Sequence, residues 1–319
     1  MRNFFIYIFI LFTFLFSQEE IGSGLIEDNL INYLQNNYTT SNTSSYTNAR
    51  NILYGIIDNN NGYVSCIYTN YSGYLSSGGS SGDNIGELYN QGINCEHLWP
   101  QSLGASNGNA KSDMHHLRPC KDNVNSTRSN KPFSEINDYI TDTWFWLEYS
   151  STSIPTNNID EYSESTSNIF EPREDVKGDI ARAMFYFYTI YNNVANENFF
   201  NDQKEVLYEW HLNDPVNDAE ISRTWSIASY QNNIPNPFII DETLIYRAYF
   251  YEEQINEENI GDVTQDGLVN IVDIVLIVNY VINTQTLTDN QIEIADIDQN
   301  GTINIIDIVA LISIIIGEE

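Results

Sequence analysis

The apolar positions of this chain fall into three regimes. The first is a near-continuous block from Phe4 to Phe16 behind Met1-Arg2-Asn3. One charge followed by an apolar core too short to span a bilayer comfortably is the pattern of a secretory signal, with cleavage near Ser17 and a leader over residues 1–17. Beyond Phe16 no polar-free stretch is long enough to cross a membrane, so no span is expected after cleavage. The second regime runs to about Tyr251 and mixes periods. Ile26 to Leu34 has the spacing of an amphipathic helix, while Leu53-Tyr54-Gly55-Ile56-Ile57 and Tyr63-Val64-Ser65-Cys66-Ile67-Tyr68, joined through Asn61-Gly62, predict a β-hairpin. Gly73 to Gly92 and the Ser/Thr/Asn-rich residues 150–168 read as loop and surface excursion. Asp179 to Tyr191 has the apolar density of a buried helix, and Glu205 to His211 and Asp218 to Ser229 predict two more. A mainly helical α+β domain over residues 22–251 is the expected architecture.

In the third regime the chain repeats itself. After a polar joint over residues 252–260, Asp262-Val-Thr-Gln-Asp-Gly-Leu-Val-Asn-Ile-Val-Asp273 returns as Asp296-Ile-Asp-Gln-Asn-Gly-Thr-Ile-Asn-Ile-Ile-Asp307, and each copy leads into an apolar helical run. Side-chain oxygens stand at loop positions 1, 3, 5, 9 and 12: Asp262, Thr264, Asp266, Asn270 and Asp273, then Asp296, Asp298, Asn300, Asn304 and Asp307. Glycine holds position 6, where the backbone turns sharply, and position 7 offers the carbonyls of Leu268 and Thr302. Hard oxygen ligands at this spacing suit Ca²⁺. A small all-α module over residues 261–319 is expected, with no helix ahead of either loop.

Composition changes the picture in two ways. With 42% apolar and 13% aromatic residues in 319, a core is available and wholesale disorder is excluded. The formal charge of -31 argues against loose adhesion to nucleic acid or anionic membrane. Its distribution matters more than its sum. Lys111, Arg118, Lys121, Arg128 and Lys131 crowd a stretch whose only acids are Asp113 and Asp122, while no Lys or Arg follows Arg247. Three cysteines, Cys66, Cys95 and Cys120, leave an odd thiol in an exported chain; a Cys95–Cys120 bond would brace the basic stretch, but spacing does not fix the pairing.

Three of the four histidines lie in that stretch, in Asn94-Cys95-Glu96-His97-Leu98-Trp99-Pro100 and Asp113-Met114-His115-His116-Leu117-Arg118-Pro119, with Asn125 to Asn130 just after. Phosphodiester hydrolysis needs an activated water, charge neutralisation at phosphate and help for the departing oxygen. His97 suits the general base, Glu96 and Asn125 offer oxygen ligands with little charge for Mg²⁺, and Arg128 and Arg118 are candidates to grip phosphate. Zinc on His97, His115, His116 and a cysteine is the competing set, although neither Cys-x-x-Cys nor His-Glu-x-x-His spacing occurs. His115 and His116 are expected on a strand, facing opposite ways, and with Asp113 are read as supporting residues. His211 is read as a core histidine. Trp99, Trp144 and Trp146 offer faces for base stacking, with core packing the plainer role for at least two.

These motifs, continued by Lys177-Gly-Asp-Ile-Ala-Arg182, Trp210-His-Leu-Asn-Asp-Pro-Val and Gln231-Asn-Asn-Ile-Pro-Asn-Pro-Phe-Ile, resemble the secreted bacterial endonuclease I family over roughly Leu25 to Tyr251. That resemblance implies a ββα-metal (His-Me) finger, a general base at His97, Mg²⁺ ligands at Glu96 and Asn125, and cutting of DNA, often also RNA, with little sequence preference. It departs from some members at Lys111, where they carry an acid, and in lacking their arginine between His97 and Ala110. Arg118 and Arg128 are the stand-ins considered. The duplicated loops resemble a type I dockerin over about Gly261 to Ile316, which implies two Ca²⁺ ions and a cohesin-like partner on a scaffold or cell surface. Dockerins often recognise cohesins through polar residues at loop positions 10 and 11, which here are Ile271-Val272 and Ile305-Ile306, so a hydrophobic partner face is expected. The chain is expected to be secreted or attached at the cell surface. A non-catalytic nucleic-acid-binding or surface-assembly protein is the rival class, and the intact Glu96, His97 and Asn125 speak against it.

Overall fold

A computed structural model describes residues 20–80, 82–251 and 260–316; the leader expected over 1–17 and nearly all of the joint expected over 252–260 lie outside them. Two compact units divide between Tyr251 and Glu252. No helix among the described residues is long and apolar enough to cross a membrane.

The first unit is α+β. Helix α1 (Glu27–Tyr38) buries Leu30 and Leu34, one turn apart. Helix α2 (Tyr46–Ile52) begins at Ser45, whose side chain accepts the Asn48 N–H, and runs without a break into a wider π-helical turn over Leu53–Ile57. The expected first hairpin strand is therefore helical. Ala49, Ile52 and Leu53 recur at helical spacing into one core cluster, a period that five apolar residues in a row conceal. The Asn-Gly turn is present one step later: Asn61 and Gly62 take φ of 53° and 90° between β1 (Asn59–Asn60) and β2 (Tyr63–Ser65), and β2 also pairs with β3 (Ser72–Tyr74). Helix α3 (Asn84–Tyr89), capped by the Asp83 side chain, occupies part of the stretch read as loop.

Strand β4 (Ile93–His97) lies antiparallel to β5 (Leu117–Lys121), with Glu96 opposite Arg118 and Asn94 opposite Cys120. Between them come the short helix α4 (Gly108–Ser112) and a tight 3₁₀ turn, Met114–His116; α5 (Asp122–Arg128) follows β5 at once. Because Cys120 faces Asn94 across the ladder, its side chain projects from the hairpin face opposite to Cys95. The bracing bond considered between them does not form. Cys120 Sγ instead lies 3.7 Å from Cys66 Sγ, and all three thiols are free.

Residues 150–168, read as a surface excursion, contribute to a sheet in the order β7-β6-β8-β9, built from β6 (Thr143–Trp146), β7 (Tyr149–Ser151), β8 (Ser163–Ser165) and β9 (Phe170–Glu171). Next in the chain comes α6 (Lys177–Ile190), apolar on nearly every side and buried along almost its whole length. Around it stand α7 (Glu197–Asn201), α8 (Lys204–Asn213), α9 (Asp218–Ala228), α10 (Pro237–Ile240) and α11 (Leu244–Tyr249). Trp99 stacks on Phe187 at 4.9 Å between ring centres, and both Trp99 and Trp144 are fully buried, so neither is a stacking platform.

In the second unit α12 (Ile271–Val281) and α14 (Ile305–Ile316) close over Val263, Ile277, Ile294, Ala295, Ile308 and Leu311. A further helix, α13 (Asp289–Ala295), ends directly ahead of the second loop, contrary to the expectation that no helix precedes it. Its origin is a reciprocal cap between Thr288 and Gln291, three residues apart. The outward faces of α12 and α14 stay apolar: Ile271 is 69% exposed and Ile305 64%.

Candidate active site

Glu96 and His97 end β4, and α5 returns Asn125 to the same place, so residues about thirty apart in sequence share one cavity of about 450 Å³, lined also by Gln101 and Ser129. His97 Nε2 lies 3.0 Å from the Lys111 carbonyl. A carbonyl only accepts, so Nε2 carries the hydrogen and Nδ1 is left as a lone pair, 3.4 Å from the Gln101 amide nitrogen. Burial, joined by the charges of His116, Lys111 and Arg50, pushes the His97 pKa down to about 3. The ring is neutral at ordinary pH.

Glu96 is buried, and its Oε1 accepts the Tyr68 hydroxyl at 2.8 Å and meets Arg128 Nη1 at 3.1 Å. Burial pushes this carboxyl up to about 7, against the opposing pull of Arg128 and Tyr68. Asn125 Nδ2 donates to Asn94 Oδ1 at 2.6 Å and to the Cys95 carbonyl at 3.1 Å. Those two contacts fix the amide's orientation and leave its Oδ1 unengaged among the described residues. Glu96 Oε2 makes no side-chain hydrogen bond among the described residues, so the cavity presents a carboxylate oxygen and an amide oxygen.

The two arginines considered for phosphate do not face this cavity. Arg128 is fully buried; its guanidinium donates to the carbonyls of His97 and Leu98 at 3.1 and 2.6 Å as well as pairing with Glu96. It fastens α5 beneath the end of β4. Arg118, 4% exposed, points to Asp179 on α6 at 3.6 Å. Charge along a sequence does not say which way a side chain points, and both basic residues point inward.

His115 and His116 lie in the 3₁₀ turn rather than on a strand, and both are buried. His116 Nε2 binds the Ala110 carbonyl at 2.7 Å, His115 Nε2 the Ile234 carbonyl at 3.1 Å. The carbonyl end of α4 thus holds His97 through Lys111 and His116 through Ala110. Asp113, wholly buried, accepts the hydroxyls of Tyr186 and Tyr191, the Gln231 amide and the His115 N–H, tying the turn to α6. His211 is a core residue bound to the Glu242 carbonyl at 3.0 Å. Sequence reasoning missed Tyr46, whose ring lies 5.1 Å from that of His97, and also Tyr68, Asn94 and Gln101. Asn94 opens the Asn-Cys-Glu-His run without having been given a role, and Tyr46, Tyr68 and Gln101 carry no motif signal; Ser45 as a helix cap was the one clue to α2.

The repeated loops gather their own oxygens. In the second, carboxylate oxygens of Asp296, Asp298 and Asp307 lie within 4.8 Å of one another, and Asp296 also accepts the N–H groups of Asn300 and Gly301. Gly301 takes φ of +80° there, and Gly267 +84° in the first loop. In the first loop Asp262 accepts from Asp266 and Gly267, and Thr264 Oγ1 donates to Asp273 at 2.9 Å. Asn270 and Asn304 donate to the position-7 carbonyls of Leu268 and Thr302 at 3.1 and 2.9 Å.

A two-strand hairpin and following helix that gather glutamate, histidine and asparagine, beside a pair of acidic loop-helix repeats, define the class. The chain belongs to the endonuclease I family, whose sequence model matches residues 24–243, and residues 260–316 match the type I dockerin domain. It is similar to the extracellular ribonuclease of Bacillus subtilis (strain 168), 33% identical over 198 residues that cover 55% of this chain and 58% of that protein. The extracellular ribonuclease of Bacillus amyloliquefaciens is 31% identical over 198 residues, covering 55% of this chain and 57% of the relative. The chain therefore spans under two thirds of the length of these relatives.

Proposed function

We propose that this is an exported, metal-dependent endonuclease that hydrolyses phosphodiester bonds of DNA or RNA with little sequence preference, and that its calcium module docks it to a cohesin-like domain on a scaffold or cell surface. The observation that carries the reading is the His97 Nδ1 lone pair in one cavity with the free oxygens of Glu96 and Asn125. That donor set, hard and singly charged, fits Mg²⁺, which keeps several positions for water and phosphate. The zinc alternative finds no support: among the described residues the only histidine, cysteine or carboxylate cluster that converges is Asp296, Asp298 and Asp307.

When bound, Mg²⁺ would supply charge neutralisation at the scissile phosphate and at the departing oxygen. The protein's own groups do the rest. His97 accepts a proton from the attacking water at Nδ1 while Nε2–H stays on the Lys111 carbonyl, so the ring does not turn during transfer. Arriving phosphate brings negative charge to a ring that burial keeps neutral, which favours that proton. Tyr68 and Arg128 hold one oxygen of Glu96 and aim the other. Asn94 does the same for the Asn125 amide.

The test is degradation of plasmid DNA and of a structured RNA by the full chain in Mg²⁺, with EDTA and His97→Ala as the two controls. Wild type is expected to cut and His97→Ala to lose about 10²–10⁴-fold in rate. Undiminished cutting by the variant would remove His97 from the mechanism, and an inert wild type would favour a binding protein.

A further inference from the structure

With Arg118 and Arg128 turned inward, the cavity still needs a cation for the substrate's negative backbone. In a chain of 44 acids and 13 bases, a lysine or arginine without a carboxylate is the exception. Most of the described ones lie within ion-pair distance of an acid; Arg50, Lys111, Lys121 and Lys131 do not. Lys131 Nζ is taken up by Ser165 Oγ and the Thr166 carbonyl at 2.8 and 2.6 Å, and Lys121 lies over Tyr71 at 5.0 Å. The other two meet on a single ring. The Arg50 guanidinium lies 4.4 Å, and Lys111 Nζ 5.5 Å, from the ring centre of Tyr46, which itself lies 5.1 Å from the imidazole of His97. Arg50 Nε is buried and has no hydrogen-bond partner among the described residues.

We propose that Arg50, with Lys111 beside it, holds a backbone phosphate of the nucleic-acid substrate next to His97, an inference that rests on the nuclease reading. Cation–π contact with Tyr46 orients the guanidinium without neutralising it. Two like charges on one ring repel until an anion joins them. A phosphate oxygen relieves that repulsion, and a planar guanidinium can offer it two N–H groups side by side. Helix α2 thus supplies the cation that the segment between His97 and Ala110 lacks.

Two measurements on the full chain test this. In a His97→Ala background, equilibrium binding of a labelled oligonucleotide is followed as salt rises from about 50 to about 200 mM, a range over which phosphate contacts govern affinity. Adding Arg50→Gln is expected to weaken binding several-fold at the lower salt and to make the log–log salt slope shallower by about one. Lys111→Gln should act in the same direction, and Arg50→Lys should keep the slope while losing part of the affinity. In the catalytically intact chain Arg50→Gln should lower kcat/KM by about tenfold or more, with Arg50→Lys between. Unchanged slope and affinity in both Gln variants would overturn the proposal, as would lost activity with an unchanged slope, which marks a packing role for Tyr46 and its cations. Because binding is read without cutting, an inert wild type sinks the nuclease reading while the slope still decides the fate of Arg50.

Discussion

The two units gather the oxygens of their proposed cation sites in opposite ways. In the second unit, each loop collects its ligands within twelve consecutive residues, and the backbone N–H groups of Gly267 and Gly301 orient Asp262 and Asp296 from inside the same loop. In the first unit, Glu96 is oriented by Tyr68 and Arg128, Asn125 by Asn94 and Cys95, and His97 by Lys111 and Tyr46, all from separate elements. Each repeated loop carries its own scaffold. The candidate active site borrows one from the whole domain, which lets it bury its carboxylate against cations rather than among other carboxylates.

Breaking the borrowed scaffold should therefore disturb the first site at a distance. Asp113 is the place to do so, because one buried carboxylate receives two tyrosine hydroxyls, an amide and a backbone N–H. Asp113→Ala leaves those donors without a partner, and the loss should be about 3–5 kcal/mol in denaturant unfolding of the first unit, with the second unaffected. Burial pushes the Asp113 carboxyl up, but the facing His115 and His116 and its hydrogen bonds outweigh that and hold its pKa below the ordinary aspartate value. A lowered folded-state pKa gives stability that is complete above the unfolded value and lost as pH falls through the folded one. Wild type should lose stability below the ordinary aspartate range, and Asp113→Asn should lose less across that interval. An equal slope in both proteins would show that Asp113 does not carry the acid dependence.

The same contrast explains what could be read in advance. The repeated loops and the Glu96-His97 pair were legible because their residue types sit at fixed short spacing, and Asn125 because a second motif carries it. Tyr46, Arg50 and Tyr68 were not, since they reach the site across 28 or more residues of chain with no periodic signal. Leu53 to Ile57 was misread because five apolar residues fit a strand and a helical turn equally well; only Ala49 and Ile52 behind them settle the period. Arg118 and Arg128 were misassigned for a different reason. Their positions were right and their direction was not, because Glu96 and Asp179 drew them into the interior.

Chelation should separate the units further. EDTA is expected to lower the helix content contributed by α12 and α14 and the melting temperature of the second unit, because carboxylates gathered as closely as Asp296, Asp298 and Asp307 repel without a cation. The melting of the first unit should stay within about 2 °C, as its Glu96 is already balanced by Arg128. Parallel loss in both units would break the comparison.

The smallest effect, and the sharpest, lies between the two loops themselves. Position 3 is Asp298 in the second and Thr264 in the first, while position 5 is Asn300 in the second and Asp266 in the first, so each copy has three carboxylates, placed differently. Calcium affinity is tuned by ligand charge and by site rigidity, which here pull apart: Thr264 lacks the charge, but its hydroxyl already links Asp273 at 2.9 Å and reaches Asp262 at 3.4 Å. If charge governs, Thr264→Asp, which gives the first loop four carboxylates against three, should tighten one of two calorimetric Ca²⁺ sites by about three- to tenfold. If the hydroxyl bridge governs, the substitution should leave both sites unchanged or weaken one, and ion-free stability should fall, since a fourth carboxylate would replace a donor between two acceptors. Charge should outweigh the bridge, because Ca²⁺ displaces such hydrogen bonds when it binds while an added negative charge acts on the ion directly. Tightening is the expected result.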